Sequence, residues 1–209
     1  MKKLMSFALA MMLCLSAAAL AESVPSKNTG DMTQFEVTVE NAAGDTKPML
    51  APVTAQDAQT PEQQAKVERC EQEIAKLNAS ASIESYFGEV KNSEGETVDL
   101  KAVLGTETLN VFEFCPVMAE GFVEANGQVT AKLVFSTPYE KGQKVVVMIG
   151  IVTTAADGST TVTWHAFEGV GLGEVQGEGA IFGGIEAALS EDIVLAIQNG
   201  EALMAVVSK

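Results

Sequence analysis

The spacing of apolar positions changes character several times along the chain. From Leu4 to about Leu15 the residues are uncharged and show no period. Residues 22–59 mix Ser, Thr, Pro, Ala, Asp and Gly, with one alternating piece, Phe35-Glu36-Val37-Thr38-Val39-Glu40, that reads as an isolated strand. This region predicts a tether whose single strand could add to a sheet edge. From Thr60 to Asn78 the period turns helical. Val67, Cys70, Ile74 and Leu77 fall on one stripe, with Glu68, Arg69, Glu71, Gln72 and Lys76 outside it. Thr60 suits the cap, Pro61 suits the first helical position, and Gln63 completes a capping-box spacing. The stripe is too short for a sustained heptad array, so it predicts packing against the helix's own domain.

From Tyr86 onward the period becomes two. Val90 and Val98 flank the turn Asn92-Ser93-Glu94-Gly95, and Leu109 to Val117 is a compact apolar strand ending near Pro116. Val129, Ala131, Leu133 and Phe135 alternate with Thr130, Lys132 and Val134. Gln143 to Thr153 is apolar on both faces, which predicts a central strand covered on both sides. Asp157-Gly158 is the strongest hairpin signal and leads into a strand from Thr160 to Phe167. A glycine-rich connection, Gly169 to Gly184, precedes a short helix from Glu191 to Gln198, capped by Ser190. Ala202 to Val207 reads as a last buried strand.

Many short strands with hairpin turns predict a mainly β fold. Its expected form is an antiparallel β-sandwich of immunoglobulin-like architecture over residues 86–209, preceded by an amphipathic helix and connection over 60–85. A small β-barrel is the alternative that the same pattern allows.

The first segment has a second meaning. Met1-Lys2-Lys3 is a basic opening, and the apolar run leads to Ala19-Leu20-Ala21, the small-residue spacing that signal peptidase reads. Residues 1–21 therefore predict a cleavable signal peptide, with the cut between Ala21 and Glu22. The protein is then secreted or extracytoplasmic, in the periplasm or at the cell envelope. The opening looks bacterial, and in that setting the Asn78-Ala79-Ser80 sequon carries no glycan. No other run is long and charge-free enough to span a bilayer, so no stable membrane insertion is expected after cleavage.

Cleavage removes two of 13 basic residues and none of 28 acidic ones, so the formal charge moves from −15 to −17. That field repels nucleic acid and anionic lipid, and excludes nucleic acid as an expected partner. It leaves two cysteines, Cys70 and Cys115, which an oxidising compartment invites to pair. A bond would add about 4 kcal/mol if the backbones approach within about 7 Å. The other reading is a buried free thiol at Cys115.

Candidates for chemistry are few. His165 is the only histidine, and no nucleophile motif accompanies it, so it reads as an ordinary strand residue. Zinc sites of several His and Cys fail on count. The glycines at 171, 173, 177 and 179 have the wrong spacing for a phosphate loop. No cofactor is expected, although calcium stays open because it needs only oxygen ligands; Glu168, Glu174 and Glu178 are the weak candidates. Glu113 is the acid to check first, since it interrupts an apolar strand on the face of Val111 and Cys115. Covered, it would suit a general acid; at an edge it would point to water and guard against pairing. The edge reading is the expected one.

The expectation for function is a non-enzymatic β-sandwich that binds or displays, with an unidentified protein or glycan as partner. Loops at Pro116–Gly127 and Phe167–Gly184 are the expected surfaces. The rivals are a secreted carboxylate-dependent hydrolase using Glu113, and a structural envelope subunit that joins a neighbour by adding residues 34–40 as a strand.

Overall fold

The structure, a computed structural model, describes residues 37–40, 46–53, 58–122, 129–135, 138–177 and 180–209. Side chains are described from Val53 onward, apart from residues 176–177 and 180–182 within those ranges. Residues 1–21, the expected signal peptide, and the expected cut between Ala21 and Glu22 lie outside the described residues.

Eight strands form one antiparallel sheet: β1 (Val37–Glu40), β2 (Thr46–Pro52), β3 (Asn110–Ala119), β4 (Val129–Phe135), β5 (Lys144–Thr154), β6 (Thr160–Gly177), β7 (Ala180–Leu189) and β8 (Glu201–Ser208). Six of them, in the order β3-β8-β5-β6-β7-β4, curl into half a barrel. The β1–β2 hairpin pairs with both outer strands and closes the ring. Thr38 to Glu40 pair with Lys132 to Thr130, and Leu50 to Pro52 with Ala119 to Val117. The expected sandwich is therefore replaced by a single curled sheet. The reason is β8, which arrives last and hydrogen-bonds both β3 and β5, leaving no gap that would divide two sheets.

Four helices accompany the sheet among the described residues: α1 (Pro61–Ala79), α2 (Ile83–Phe87), α3 (Leu100–Leu104) and α4 (Glu191–Asn199). The capping box of α1 forms as the sequence predicts, with Gln63 N–H donating to Thr60 Oγ1 at 3.2 Å and Thr60 N–H to Gln63 Oε1 at 3.1 Å. Its stripe is buried at Val67, Cys70 and Leu77. Residues 86–109 differ from expectation. Tyr86 lies in α2, and the turn around Asn92 makes only an isolated bridge, Lys91 to Thr97. The glycine-rich stretch is not a loose connection but the β6–β7 ribbon, bulged between Gly171 and Gly173.

Two apolar cores result. Inside the ring, Val117, Ala131, Leu133, Val147, Ile149, Ile185, Met204 and Val206 meet, and Ile193, Val194 and Ile197 of α4 extend the cluster. Outside, Val146, Met148, Trp164, Leu203, Ala205 and Val207 are covered by Cys70, Leu77, Phe87, Leu100 and Leu104 from α1–α3. Thus β5 and β8 are covered on both faces, as the unbroken apolar run of β5 predicts. Each fully buried aliphatic side chain contributes roughly 1.5–3 kcal/mol, which explains why these two strands tolerate so little polarity.

Pro116 stands inside β3, not at its end. Its carbonyl accepts from Val53 N–H at 2.9 Å, so its nitrogen also faces the β2 side. The missing donor therefore costs the β3–β8 ladder nothing.

Arg69, the only arginine, ties the outer helix to the sheet. Its Nε donates to Glu201 Oε1 at 2.6 Å and its guanidinium to Thr160 Oγ1 at 3.0 Å. That pair locks α1 over the start of β6 and β8.

Candidate functional site

Polar groups meet apolar surface in the interior around Glu113 and in a cleft where β6 and β7 separate.

Glu113 sits on β3 beside a bulge. Val111 pairs with Val207 and Glu113 with Val206, so Phe112 is the extra residue. The bulge reverses the alternation. Val111 belongs to the outer core, whereas Cys115, Val117 and Ala119 belong to the inner one. Glu113 shares the inward face with Cys115 but not with Val111, contrary to the sequence pattern. The edge expectation is also corrected. The β2 ladder reaches only Val117 to Ala119, yet Glu113 is 3% exposed because its side chain turns inward.

Tyr139 is its neighbour. The ring packs between Phe112 and Phe135, at centroid distances of 6.2 and 5.8 Å, and the hydroxyl has no hydrogen-bond partner among the described residues. Burial, then the charge of Glu113, pushes its phenol pKa well above the usual range. Burial likewise pushes the Cys115 thiol up, reinforced by Cys70 and Glu113. A thiol must ionise to attack, so this one is chemically quiet. Glu113, Cys115 and Tyr139 form a closed polar spot within an apolar core, out of reach of a substrate atom in this conformation.

Cys70 and Cys115 are both free thiols. Cys70 lies in the outer core with its Sγ 3.9 Å from the carbonyl oxygen of Phe114; Cys115 lies in the inner core. Cys70 reaches β3 from α1 on the outer side of the sheet, whereas the Cys115 side chain leaves β3 on the inner side.

The calcium candidates are not brought together. Glu168 and Glu174 are both exposed on β6, six residues apart along extended chain, about 20 Å by strand rise, and no single ion can touch both. Glu178 lies outside the described residues. Among the described residues no group of three His, Cys, Asp or Glu side chains is placed to hold a metal ion. His165 occupies a half-buried position opposite Ile149, bridged through its backbone neighbours to Lys91. Desolvation, then Lys91, lowers its pKa from the ordinary histidine value.

The cleft has a different character. The β6–β7 ladder begins at Gly169 and Ala187, and before that point the two strands part. In the gap beside β6 runs the segment from Lys91 to Val103, held by Lys91 N–H donating to the carbonyl of Trp164 at 3.3 Å and by Ala166 N–H donating to the carbonyl of Lys91 at 2.8 Å. Between them lies a space of about 420 Å³. Its walls are the apolar Val98, Val103, Val146, Ala166, Phe167 and Ala188, and its rim is Asn92, Ser93, Thr97, Asp99 and Glu168.

The rim is held by local hydrogen bonds. Asn92 Oδ1 accepts from the backbone N–H groups of Glu94 and Glu96 at 3.0 and 2.9 Å, which closes the turn. Asp99 caps α3 by accepting from Ala102 N–H at 3.1 Å. An apolar floor with a few convergent polar groups is the usual make-up of a small ligand site.

Of the sequence candidates, only Glu168 reaches this cleft. The other lining residues come from four separate stretches, none of which carries a motif. The one hint was the apolar alternation of the strand running into Phe167, which marks a covered face without saying what covers it.

No protein-family model matches the chain, and neither a curated protein nor a solved structure shows significant similarity to it.

Proposed function

We propose that this chain is an exported, non-enzymatic binding or display protein, secreted or held at the cell envelope, whose ligand seat is the β6–β7 cleft. The observation that carries the reading is the cleft itself, an open apolar pocket framed by hydrogen-bonding groups on a rigid strand and a capped helix. A ring-shaped sheet with two filled cores makes a stiff frame, and a stiff frame lowers the cost of ordering a binding surface. The opening of the sequence supports export, and the strong negative charge supports solubility outside the cell. The seclusion of Glu113 weighs against a carboxylate-dependent hydrolase. Such an enzyme also needs a second acid roughly 5–9 Å away. Strand addition to a neighbour through residues 34–40 competes with the pairing that Thr38 to Glu40 already make with β4 of the same chain.

The test is a panel of tripeptides and disaccharides screened by amide chemical-shift perturbation on the mature protein, alongside the variant Ala102→Trp. Ala102 is an exposed residue on the cleft wall, so tryptophan there fills the space without entering either core. Shifts confined to residues 92–103, 166–168 and 188 that vanish in the variant are expected. Shifts elsewhere, or binding untouched by the tryptophan, would overturn the assignment.

A further inference from the structure

Resting on the reading that the β6–β7 cleft is a ligand seat, we infer that its occupant is an extended peptide segment carrying a basic side chain between two apolar ones.

The first argument is charge. The cleft residues include two carboxylates, Asp99 and Glu168, and no lysine or arginine. Lys91 runs beside the cleft, but its bridge partner is His165, on the opposite face of β6 from Ala166 and Glu168. Asp99 uses one oxygen on α3, and its other oxygen is left for a donor. Glu168 is exposed on the strand. An occupant that covers these two acids without supplying a positive charge would lose their hydration and gain nothing. The whole chain carries a formal charge of −15, which draws cations towards the surface over a Debye length of about 10 Å.

The second argument is spacing. The outward face of β6 here reads Ala166, Glu168, Val170: apolar, acidic, apolar. Val170 is 44% exposed and is the one large hydrophobic residue left open among the described residues. Alternate residues on a strand are about 6.6 Å apart, so an extended peptide repeats its side chains at the same interval. A segment with apolar, basic and apolar residues at every second position therefore meets all three sites in register. The apolar part of the cleft, Val98 and Val103, takes one end, and Val170 takes the other.

The probe is an acetylated, amidated pentapeptide with leucine at its first and fifth positions, lysine at its third, and serine between. Two companions carry glutamine or glutamate in place of the lysine. Calorimetry on the mature protein is expected to rank lysine above glutamine above glutamate. Glu168→Gln should weaken the lysine peptide about threefold, and Asp99→Asn with Glu168→Gln about tenfold, as expected for exposed charge pairs. Asparagine retains the helix cap, so the double variant still folds. Glu71→Gln, an exposed acid on α1, serves as the control and should change nothing.

Equal binding of all three peptides, with loss in Ala102→Trp, overturns the basic occupant and leaves the seat standing. Binding of the lysine peptide that persists in Ala102→Trp, or falls equally in Glu71→Gln, overturns both. Failure of the lysine peptide to bind overturns the inference, while the panel of tripeptides and disaccharides decides the seat separately.

Discussion

Gly150 is the tightest test of the outer core. It pairs across the sheet with Trp164, and a methyl group at this position would lie 2.8 and 2.9 Å from two ring carbons and 2.6 Å from a methyl of Val162. Relaxed carbon contacts are about 3.5–4.0 Å, so the indole would have to retreat by roughly 0.7 Å. It has little room. Its ring is wedged against Phe87 at 4.9 Å and 89°, Phe114 at 5.7 Å and Tyr86 at 6.0 Å, and the residue is 4% exposed. Overpacking of this kind costs about 1–3 kcal/mol, whereas removing a glycine from the unfolded chain returns about 0.4–1 kcal/mol. Gly150→Ala should therefore lose about 1–2 kcal/mol, seen as a lower urea midpoint at unchanged slope. Trp164 is the only tryptophan and reports the transition by its fluorescence. In a Trp164→Ala background, followed by circular dichroism, the cost of Gly150→Ala should shrink by about 1 kcal/mol, with the remainder due to Val162. A Gly150→Ala protein as stable as the parent, or an equal cost in both backgrounds, would refute the reasoning.

Two further outcomes are expected. Because the folded pKa of His165 lies below its unfolded value, near 6.5, its neutral form stabilises the fold above that pH, and the contribution is lost as pH falls through the folded pKa. Between pH 7.5 and 5.5 the urea midpoint of the parent should therefore drop relative to that of His165→Gln; parallel profiles would show that the ring is not desolvated. Cys70 and Cys115 are 0% and 1% exposed with thiols pushed up by burial, so Ellman's reagent at pH 8 should leave both untouched in the native protein expressed without residues 1–21 and label both in urea. Rapid labelling of either thiol under native conditions would contradict their placement.

The legible parts of this fold are those decided by short-range rules. The cap of α1 depends on residues three apart, the turn at Asp157-Gly158 on a positive φ that glycine adopts freely, and the inward face of β4 on strict alternation. The apolar run of β5 predicts cover on both sides, and the two cores supply it. The glycines after Gly169 misled for an equally local reason. Glycine signals freedom, but at Gly171 a side chain would collide with the carbonyl of Glu140, so the residue is there to let a turn dock on a continuous strand.

Glu113 marks where local reading stopped. Strict alternation puts its side chain on the face of Val111, and a single inserted residue at Phe112 reverses that face. Nothing within the stretch announces the bulge, because it is a property of the pairing with β8, about ninety residues away. The cleft is hidden for the same reason, being made where strands part.

The sequence by itself determined the cap of α1, the turn at Asp157-Gly158, the inward face of β4, the cover on both sides of β5 and the acidic composition, since each depends on neighbours within one helical turn, one hairpin or one short run. Only the tertiary structure decided that the strands close into a ring instead of stacking as two sheets, that Glu113 faces inward, and that Glu168 borders a cleft. Those outcomes rest on register and strand order, which are set by contacts between residues far apart in the chain and leave no periodic trace along it.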